Sequence, residues 1–559
     1  MYEGEVVEGL DSGVHLSQTA EAGPQSRTRQ PHSNGNPPLR LQVPGFFFLF
    51  SRQVNTLSNI IHNTYGRANT YSIMSAPITI RNLTAQPLTI KLVERYEAPN
   101  AKDFLPSGGF HNLTSNFTSL LGHNSTSKAV NDKAQSFTKQ DVDVRMEPFT
   151  THPTDIKTTE RSPTEILRLT FQGDGGGMWR IDTPTPSTKS ESLVPLTPDP
   201  KHEYTAVYLP ESHFLAIHEN MNLQCWMKEL TDPTPLSALS IPGTHNSPTH
   251  HTALPSVRCQ AVGAHDQLNN GVRFFDIRVQ PTSPDDPSDE TLHLVHGVFP
   301  ISLTGPKKLR VLLTIILDFL RQNPSETLIL SLKREGTGNA TDEQLSTIIK
   351  DHYANPQEWW TQPHIPTLGE ARGKIVLVRR FALAERLKSE YDGQGWGINA
   401  ENWEYNTPDC TYGHVRVQDF CEVLETENID KKIGLCCDHF ERAASVISPV
   451  PGVTTDTANP VPAGPLYLNF LSASNFWKVG CWPDKIAAKL NPAVLAFLCE
   501  KHDIGDKGTK GPSEAVPGDG GVGIVVCDWV GKDGDWDLVR SIVGMNSRLL
   551  LREKGIGWR

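Results

Sequence analysis

Seven short apolar runs in the second half of the chain each stop on a polar or charged residue, and this pattern narrows the fold more than any other feature. They are LSIPGTHN, VRFFDIRV, LHLVHG, LILSLKRE, KIVLVRRF, HVRVQDF and IVVCDW. Runs such as SETLILSLK are continuously apolar, as strands buried on both faces are. Between them lie helical stretches. KKLRVLLTIILDFLRQ (307–322) has a broad apolar face and ends at Asn323-Pro324, and DWDLVRSIVGMNSRLL follows the last strand. Strand and helix alternating over about 330 residues predict an α/β fold with a parallel sheet, and a barrel fits that length.

In such a barrel the carboxyl ends of the strands open on one face, where sites are built. Pro242-Gly243 turns the first run so that it ends on His245 and Asn246. The others end on His296, Lys333, Arg380, Asp419 and Asp528. Asp276 and Arg278 alternate, so they share one face of their strand. Two imidazoles supply a general base and a general acid, and a carboxylate behind one of them fixes its tautomer. A guanidinium offers a planar fork for phosphate oxygens. The set is suited to phosphodiester transfer without a metal. H-x4-H-H at His245, His250 and His251 matches no common ligand spacing, and Arg278 stands where a second metal carboxylate is wanted. The residues therefore predict no metal and no cofactor.

The first part of the chain reads differently. Residues 1–73 are Gly-, Pro- and Ser-rich and predict a disordered extension, with Met74 a candidate true start. Residues 74–218 hold alternating runs, ITIRNLT, LTIKLVERY, VDVRMEP, EILRLTFQG, GMWRID and EYTAVYLP, parted by Ser/Thr/Asn/Pro loops. They predict a small all-β, sandwich-like accessory domain without catalytic groups, ahead of the barrel at 222–559.

A net charge of −11 argues against a nucleic-acid partner. VPGFFFLF (43–50) is too short to span a bilayer, and no apolar signal segment opens the chain. Nine cysteines, with no CxxC pair and none before Cys225, fit reduced thiols in the cytoplasm. The sequons at Asn82, Asn112, Asn116, Asn124 and Asn339 weigh weakly the other way, towards secretion. Trp359-Trp360 and Phe476-Trp477 read as packing rather than as a membrane interface.

LSIPGTHNS, GVRFFDIRV, LHLVHGVF and FLRQNPSETLILSLKREG, in this order, resemble the X domain of bacterial-type phosphatidylinositol-specific phospholipases C. The likeness runs over about residues 222–550, through RGKIVLVRRF, VRVQDF and GIVVCDW. It implies a distorted TIM barrel and cleavage of the glycerol–phosphate bond of a phospholipid at a membrane surface, through a cyclic inositol phosphate. It implies His245 as base, His296 as acid, Arg278 on the phosphate and Asp528 orienting His245. Lys333, Arg380 and Asp419 would bind the inositol hydroxyls. Two departures stand out. Asn246 occupies the place of an aspartate that supports the acid, and Cys421 that of an aromatic residue on the inositol ring. The alternatives are a slow or inactive headgroup-binding protein and a metal-dependent barrel phosphodiesterase of the glycerophosphodiesterase or sphingomyelinase D kind.

Overall fold

The structure, a computed structural model, describes residues 76–97, 130, 134–158, 165–184, 189–283, 285–286, 288–450, 455–456, 458, 463–504 and 518–553. The expected disordered extension, Met74, the FFFLF run and the sequons at Asn112, Asn116 and Asn124 lie outside them. The protein is a mixed α/β chain whose described residues fall in one compact unit.

Its centre is a curled, largely parallel sheet. The strands are β1 (Ile241–Thr244), β2 (Phe274–Pro281), β3 (Leu328–Arg334), β4 (Ile375–Arg380), β5 (Ile398–Asn399), β6 (Val415–Gln418), β7 (Leu466–Phe470) and β8 (Ile524–Cys527). They are ordered β5-β4-β3-β2-β1-β8-β7-β6, with every neighbouring pair parallel. Between the two ends of this order, β5 and β6, no ladder runs among the described residues. A single backbone bond, His414 N to Asn399 O (3.2 Å), crosses there. Strand Leu292–His296 folds back antiparallel on the far end of β2.

Helices Leu309–Gln322, Asn428–Ala444 and Pro483–Glu500 lie between successive strands and bury their apolar stripes. The first two have the amphipathic spacing that demands a covered face. Pro483 opens the third helix, where its missing N–H costs nothing. The sequence reading overlooked that helix because Pro492 interrupts it. A proline inside a helix is a poor omen locally, and here burial of Ile486, Leu490, Val494 and Leu498 outweighs it.

The predicted strands of the first part all form, as Pro77–Leu83, Leu88–Glu97, Thr138–Met146, Glu165–Gly173, Met178–Thr183 and Tyr204–Leu209. Phe214–Glu219, Thr150–Lys157 and the short Ser190–Ser192 and Val194–Pro195 join them. Two five-stranded sheets result, sharing a core that includes Ile80, Ile90, Leu169, Phe171 and Ile217. The opposite face of one sheet is also buried. Leu83, Val207, Phe214 and Ala216 belong to the same core as Val494 and Leu498. Arg81 donates to the C-terminal carbonyls of helix Pro483–Glu500 and beyond, Cys499 O (3.2 Å) and His502 O (2.8 Å). Asp537 accepts from the backbone of Lys189 (2.8 Å) and Ser190 (3.1 Å).

At the amino ends of β2 and β3 a fully buried ion pair closes the sheet from below. Arg273 Nε donates to Glu326 Oε2 at 2.9 Å, and its other nitrogens reach Leu268 O, Val272 O, Leu223 O and Gln224 O. Every donor is used, the condition under which a buried charge is tolerated. Glu326→Ala therefore leaves an uncompensated buried guanidinium and should cost about 3–5 kcal/mol in urea unfolding. Arg273→Met combined with Glu326→Leu should cost clearly less than the single change. Equal costs would show that packing, and not the charge, holds this end.

Candidate active site

Strand register assembles the site. Thr244 is level with Phe275 on one side and Cys527 on the other, so the next residues, His245, Asp276 and Asp528, come together in one layer. One step further out, Arg278 is level with Lys333 and Lys333 with Arg380, a row of three cations across β2, β3 and β4. The predicted polar ends of the strands thus do meet at one end of the sheet.

His245 is held on both nitrogens. Its Nδ1 meets Asp528 Oδ1 at 2.9 Å, and its Nε2 meets Arg278 Nη2 at 2.9 Å. A guanidinium can only donate. The ring in this geometry is therefore neutral, with its proton on Nδ1 and directed at the carboxylate. Burial disfavours the imidazolium, but Asp528, and Cys259 beside it, outweigh burial and push the pKa up to about 10. Asp528 is itself buried, which raises its pKa against the pull of His245.

His296 faces His245 edge-on, with ring centroids 5.7 Å apart. Its Nδ1 lies 3.0 Å from Val257 O and 3.8 Å from Cys259 Sγ. A carbonyl accepts only, so Nδ1 carries a proton and Nε2 is left for the reacting group. Burial, then the nearby Arg278 and His245, lower its pKa to about 4. Asn246 stands where an aspartate would support the acid. Its side chain is buried and hydrogen-bonds to none of the described residues, while its backbone N donates to Asp276 Oδ2 (3.2 Å). It sits at φ +41°, a left-handed turn that Asn tolerates better than most residues.

Asp276, 0% exposed, is a hub. Oδ2 accepts from Arg278 Nε (3.3 Å) and Nη2 (3.2 Å), and Oδ1 from Arg380 Nη1 (3.0 Å). Burial would raise its pKa, and the two guanidinia instead hold it at about 2. Arg278 Nη1 also donates to Glu335 (3.2 and 3.4 Å), which accepts from Lys333 Nζ (2.9 Å) and Gly297 N (2.8 Å). The guanidinium of Arg380 lies 3.8 Å above the Trp403 ring, whose Nε1 donates to Asp419 Oδ2 (3.2 Å).

Glu335 and Trp403 were absent from the sequence reading. Glu335 was findable, because it stands two residues after Lys333 and so shares its face. Trp403 lies in a loop with no period to mark it. Cys421 provides no ring, and Trp403 is the aromatic surface against the cation row.

Among the described residues one His/Cys/Asp/Glu cluster has metal-binding geometry, His245, Cys259 and His296. All nine cysteines are free. Trp359 and Trp360 are buried, as expected of packing. Trp477 contradicts the packing expectation: it is 89% exposed.

Residues 233–381 match the family model "Phosphatidylinositol-specific phospholipase C, X domain", and the resemblance to that family is thereby shown. The 1-phosphatidylinositol phosphodiesterase of Listeria monocytogenes is 34% identical over 172 residues, 29% of this chain and 50% of that protein. The Staphylococcus aureus protein of the same name is 28% identical over 193 residues, 33% of this chain and 59% of that one. The human PI-PLC X domain-containing protein 1 is 27% identical over 199 residues, 30% of this chain and 59% of that one. The chain thus spans between half and three-fifths of the length of these curated relatives. A solved S. aureus phosphatidylinositol-specific phospholipase C aligns with 58% of this chain and 97% of its own, at 24% identity and a TM-score of 0.43. The L. monocytogenes structure aligns with 58% and 99%, at 23% identity and a TM-score of 0.41.

The His245–Asp528 contact makes a direct prediction. In Asp528→Asn the carboxylate that stabilises the imidazolium is gone, so the His245 pKa should fall from about 10 by more than about one unit. Histidine NMR titration of both proteins measures it, and an unchanged pKa would remove Asp528 as its cause.

Proposed function

We propose that the protein is a phosphoric diester hydrolase of the phosphatidylinositol-specific phospholipase C kind. It cleaves the glycerol–phosphate bond of a phosphoinositide or related phospholipid through a cyclic inositol phosphate, by histidine acid–base catalysis without a metal. The observation that carries this is the pair of facing imidazoles, each with Nδ1 occupied, with the Arg278 guanidinium beside them.

The fold reading behind it is a distorted (β/α) barrel. Eight parallel strands with a weak seam between β5 and β6 support it. The sheets of residues 77–219 are its β accessory region, bound through a continuous core. Neutral His245 removes the proton of the inositol 2-hydroxyl at Nε2, and Asp528 stabilises the cation that forms. As substrate enters, the phosphate takes over the Arg278 donors from His245 Nε2, and the fork stabilises charge on the phosphoryl oxygens. His296 then gives its Nε2 proton to the departing glycerol oxygen. The anionic phosphate favours protonation of His296, which in the empty site is opposed by burial and by the Arg278 guanidinium. Lys333, Arg380 and Asp419 bind ring hydroxyls, with Trp403 as the wall on which Arg380 rests.

A second reading, a slow or inactive headgroup binder, draws on Asn246. Its buried amide hydrogen-bonds to none of the described residues, and the pull of Glu335 on His296 is outweighed by burial, so the proton is harder to keep there. A phospholipid panel with analysis of the water-soluble products separates the two, since headgroup binding without turnover would identify the binder. For the enzyme, turnover should survive excess EDTA. His245→Ala should lose at least about a hundredfold. Arg278→Lys, which keeps charge but not the fork, should lose about two to four decades, or roughly 3–5 kcal/mol. Loss of wild-type rate in EDTA, or normal turnover by Arg278→Lys, would overturn the metal-free mechanism.

No described helix is long and apolar enough to cross a membrane, and peripheral docking from the cytoplasm is the location proposed. The docking surface is the rim around the site. Phe299, three residues after His296, stacks on Phe476 at 5.7 Å, and Trp477 meets Phe476 edge-on at 4.9 Å. Val298, Leu303 and Leu424 are exposed on loops, and Val479 is exposed at the start of a short 3-10 helix that follows Trp477. Aromatic rings of this kind seat well at a lipid–water interface. Phe476→Ala with Trp477→Ala should weaken partition onto phosphatidylinositol-containing vesicles by at least about a hundredfold, from about 1.5–3 kcal/mol per buried side chain. Hydrolysis of a water-soluble inositol phosphodiester should hold. Unchanged partition would exclude this rim as the docking face.

A further inference from the structure

We propose that His245, Cys259 and His296 form a binding site for a soft divalent cation such as zinc, and that its occupation shuts the catalytic centre. The inhibitory half of this rests on the acid–base reading above, and the binding half does not.

The three side chains offer two imidazole nitrogens and one sulfur, all within 4.8 Å of one another. Cys259 Sγ stands 3.8 Å from His296 Nδ1. A tetrahedral zinc ion with bonds of about 2.0–2.3 Å holds its ligand atoms roughly 3.3–3.7 Å apart. The cluster therefore needs a contraction of about 1 Å at its widest, within reach of small side-chain rotations. Two histidines and a thiolate are a ligand set that zinc takes with its fourth position open. A water or a phosphate oxygen would fill that position.

Cys259 is placed rather than incidental. Its sulfur is buried between the two rings, its backbone N donates to Thr249 Oγ1 (3.1 Å), and its carbonyl accepts from Trp529 N (2.8 Å). These bonds tie it to the loops that follow β1 and β8, the same loops that hold His245 and Asp528. His245 also carries the outer partner usual for a metal-binding histidine, Asp528 on its Nδ1. His296 Nδ1, 3.8 Å from the sulfur, is held by the Val257 carbonyl and would exchange that bond for the ion.

The obstacle is Arg278, whose Nη2 occupies His245 Nε2. It has alternative partners in place, Asp276 and Glu335, so it can give up that contact and stay neutralised. Those carboxylates are engaged with guanidinia and are not offered to an ion. Hard cations that need several carboxylate oxygens, calcium and magnesium, therefore gain little here. On binding, the Cys259 thiol loses its proton to solvent and the sulfur–metal bond forms. Both imidazoles are then held by the ion, so neither base nor acid remains.

The test has two independent arms on the full chain stripped with EDTA. Added cobalt(II) should give a near-ultraviolet thiolate-to-cobalt absorption band at one equivalent, absent in Cys259→Ala and in the near-isosteric Cys259→Ser. This arm needs no turnover, so it stands or falls apart from the enzymatic reading. In the second arm zinc should inhibit hydrolysis and EDTA should restore it. Relative to each protein's own zinc-free rate, the zinc needed for half inhibition should rise at least about a hundredfold in Cys259→Ser. Magnesium and calcium at the same concentration should not inhibit. No cobalt band in the wild type, or equal zinc sensitivity in Cys259→Ser, overturns the proposal.

Discussion

The carboxylate of Asp276 is the interaction on which the rest of the site depends. It lies at full burial and meets two guanidinia and one backbone N–H. An unpaired charge at that depth would cost several kcal/mol, so the pairing is obligatory rather than optional. Through Arg278 it fixes the group beside His245, and through Arg380 the cation on Trp403. Through the Asn246 backbone it holds the left-handed turn that aims His245. Arg278, His245 and Arg380 are thereby coupled to one anion at the middle of the sheet.

That coupling follows from register. Parallel strands with aligned ends put residues of different loops in one layer, and a shift of one residue would turn Asp276 and Arg278 into the opposite face. The buried Arg273–Glu326 pair at the other end of β2 and β3 acts on the same register from below. Its energetic contribution is to select one alignment of β2 against β3. The alignment that satisfies both charges underneath also brings Arg278 level with Lys333 on top.

Much of this was readable because the relevant signals are local. A continuous apolar run that ends in a charge marks both a buried strand and the residue at its open end, and His245, Arg278, Lys333, Arg380 and Asp528 were all found in that way. The two sheets of residues 77–219 were legible for the same reason, since their alternation has period two. What escaped has no local period. Trp403 and Cys259 lie in loops, and nothing in a loop's sequence says which strand end it will cross. Phe476-Trp477 read as packing because aromatic residues usually are buried, and only the fold shows that their loop stands at the rim. Asn246 shows the opposite limit. Its identity was plain, but its expected partner was not, because the Val257 carbonyl that holds His296 comes from eleven residues further along.

The replacement of a carboxylate by the neutral Asn246 has a consequence for how the two histidines share protons. His245 is favoured as the cation by Asp528, with a pKa pushed up to about 10, and His296 is disfavoured, with its own lowered to about 4. A proton added to the neutral pair is therefore taken by His245 rather than His296, and only where Arg278 Nη2 has left His245 Nε2. The mechanism proposed above needs the reverse. Arg278 favours that reversal at one end, since its contact with Nε2 exists only when His245 is neutral. The phosphate favours it at the other by bringing an anion to His296. In the proposed mechanism the acid is in this sense charged by the substrate, while Arg278 keeps His245 neutral in the empty site. A site arranged this way discriminates between a ligand that brings an anion to the gap between the rings and one that does not, before any bond is broken.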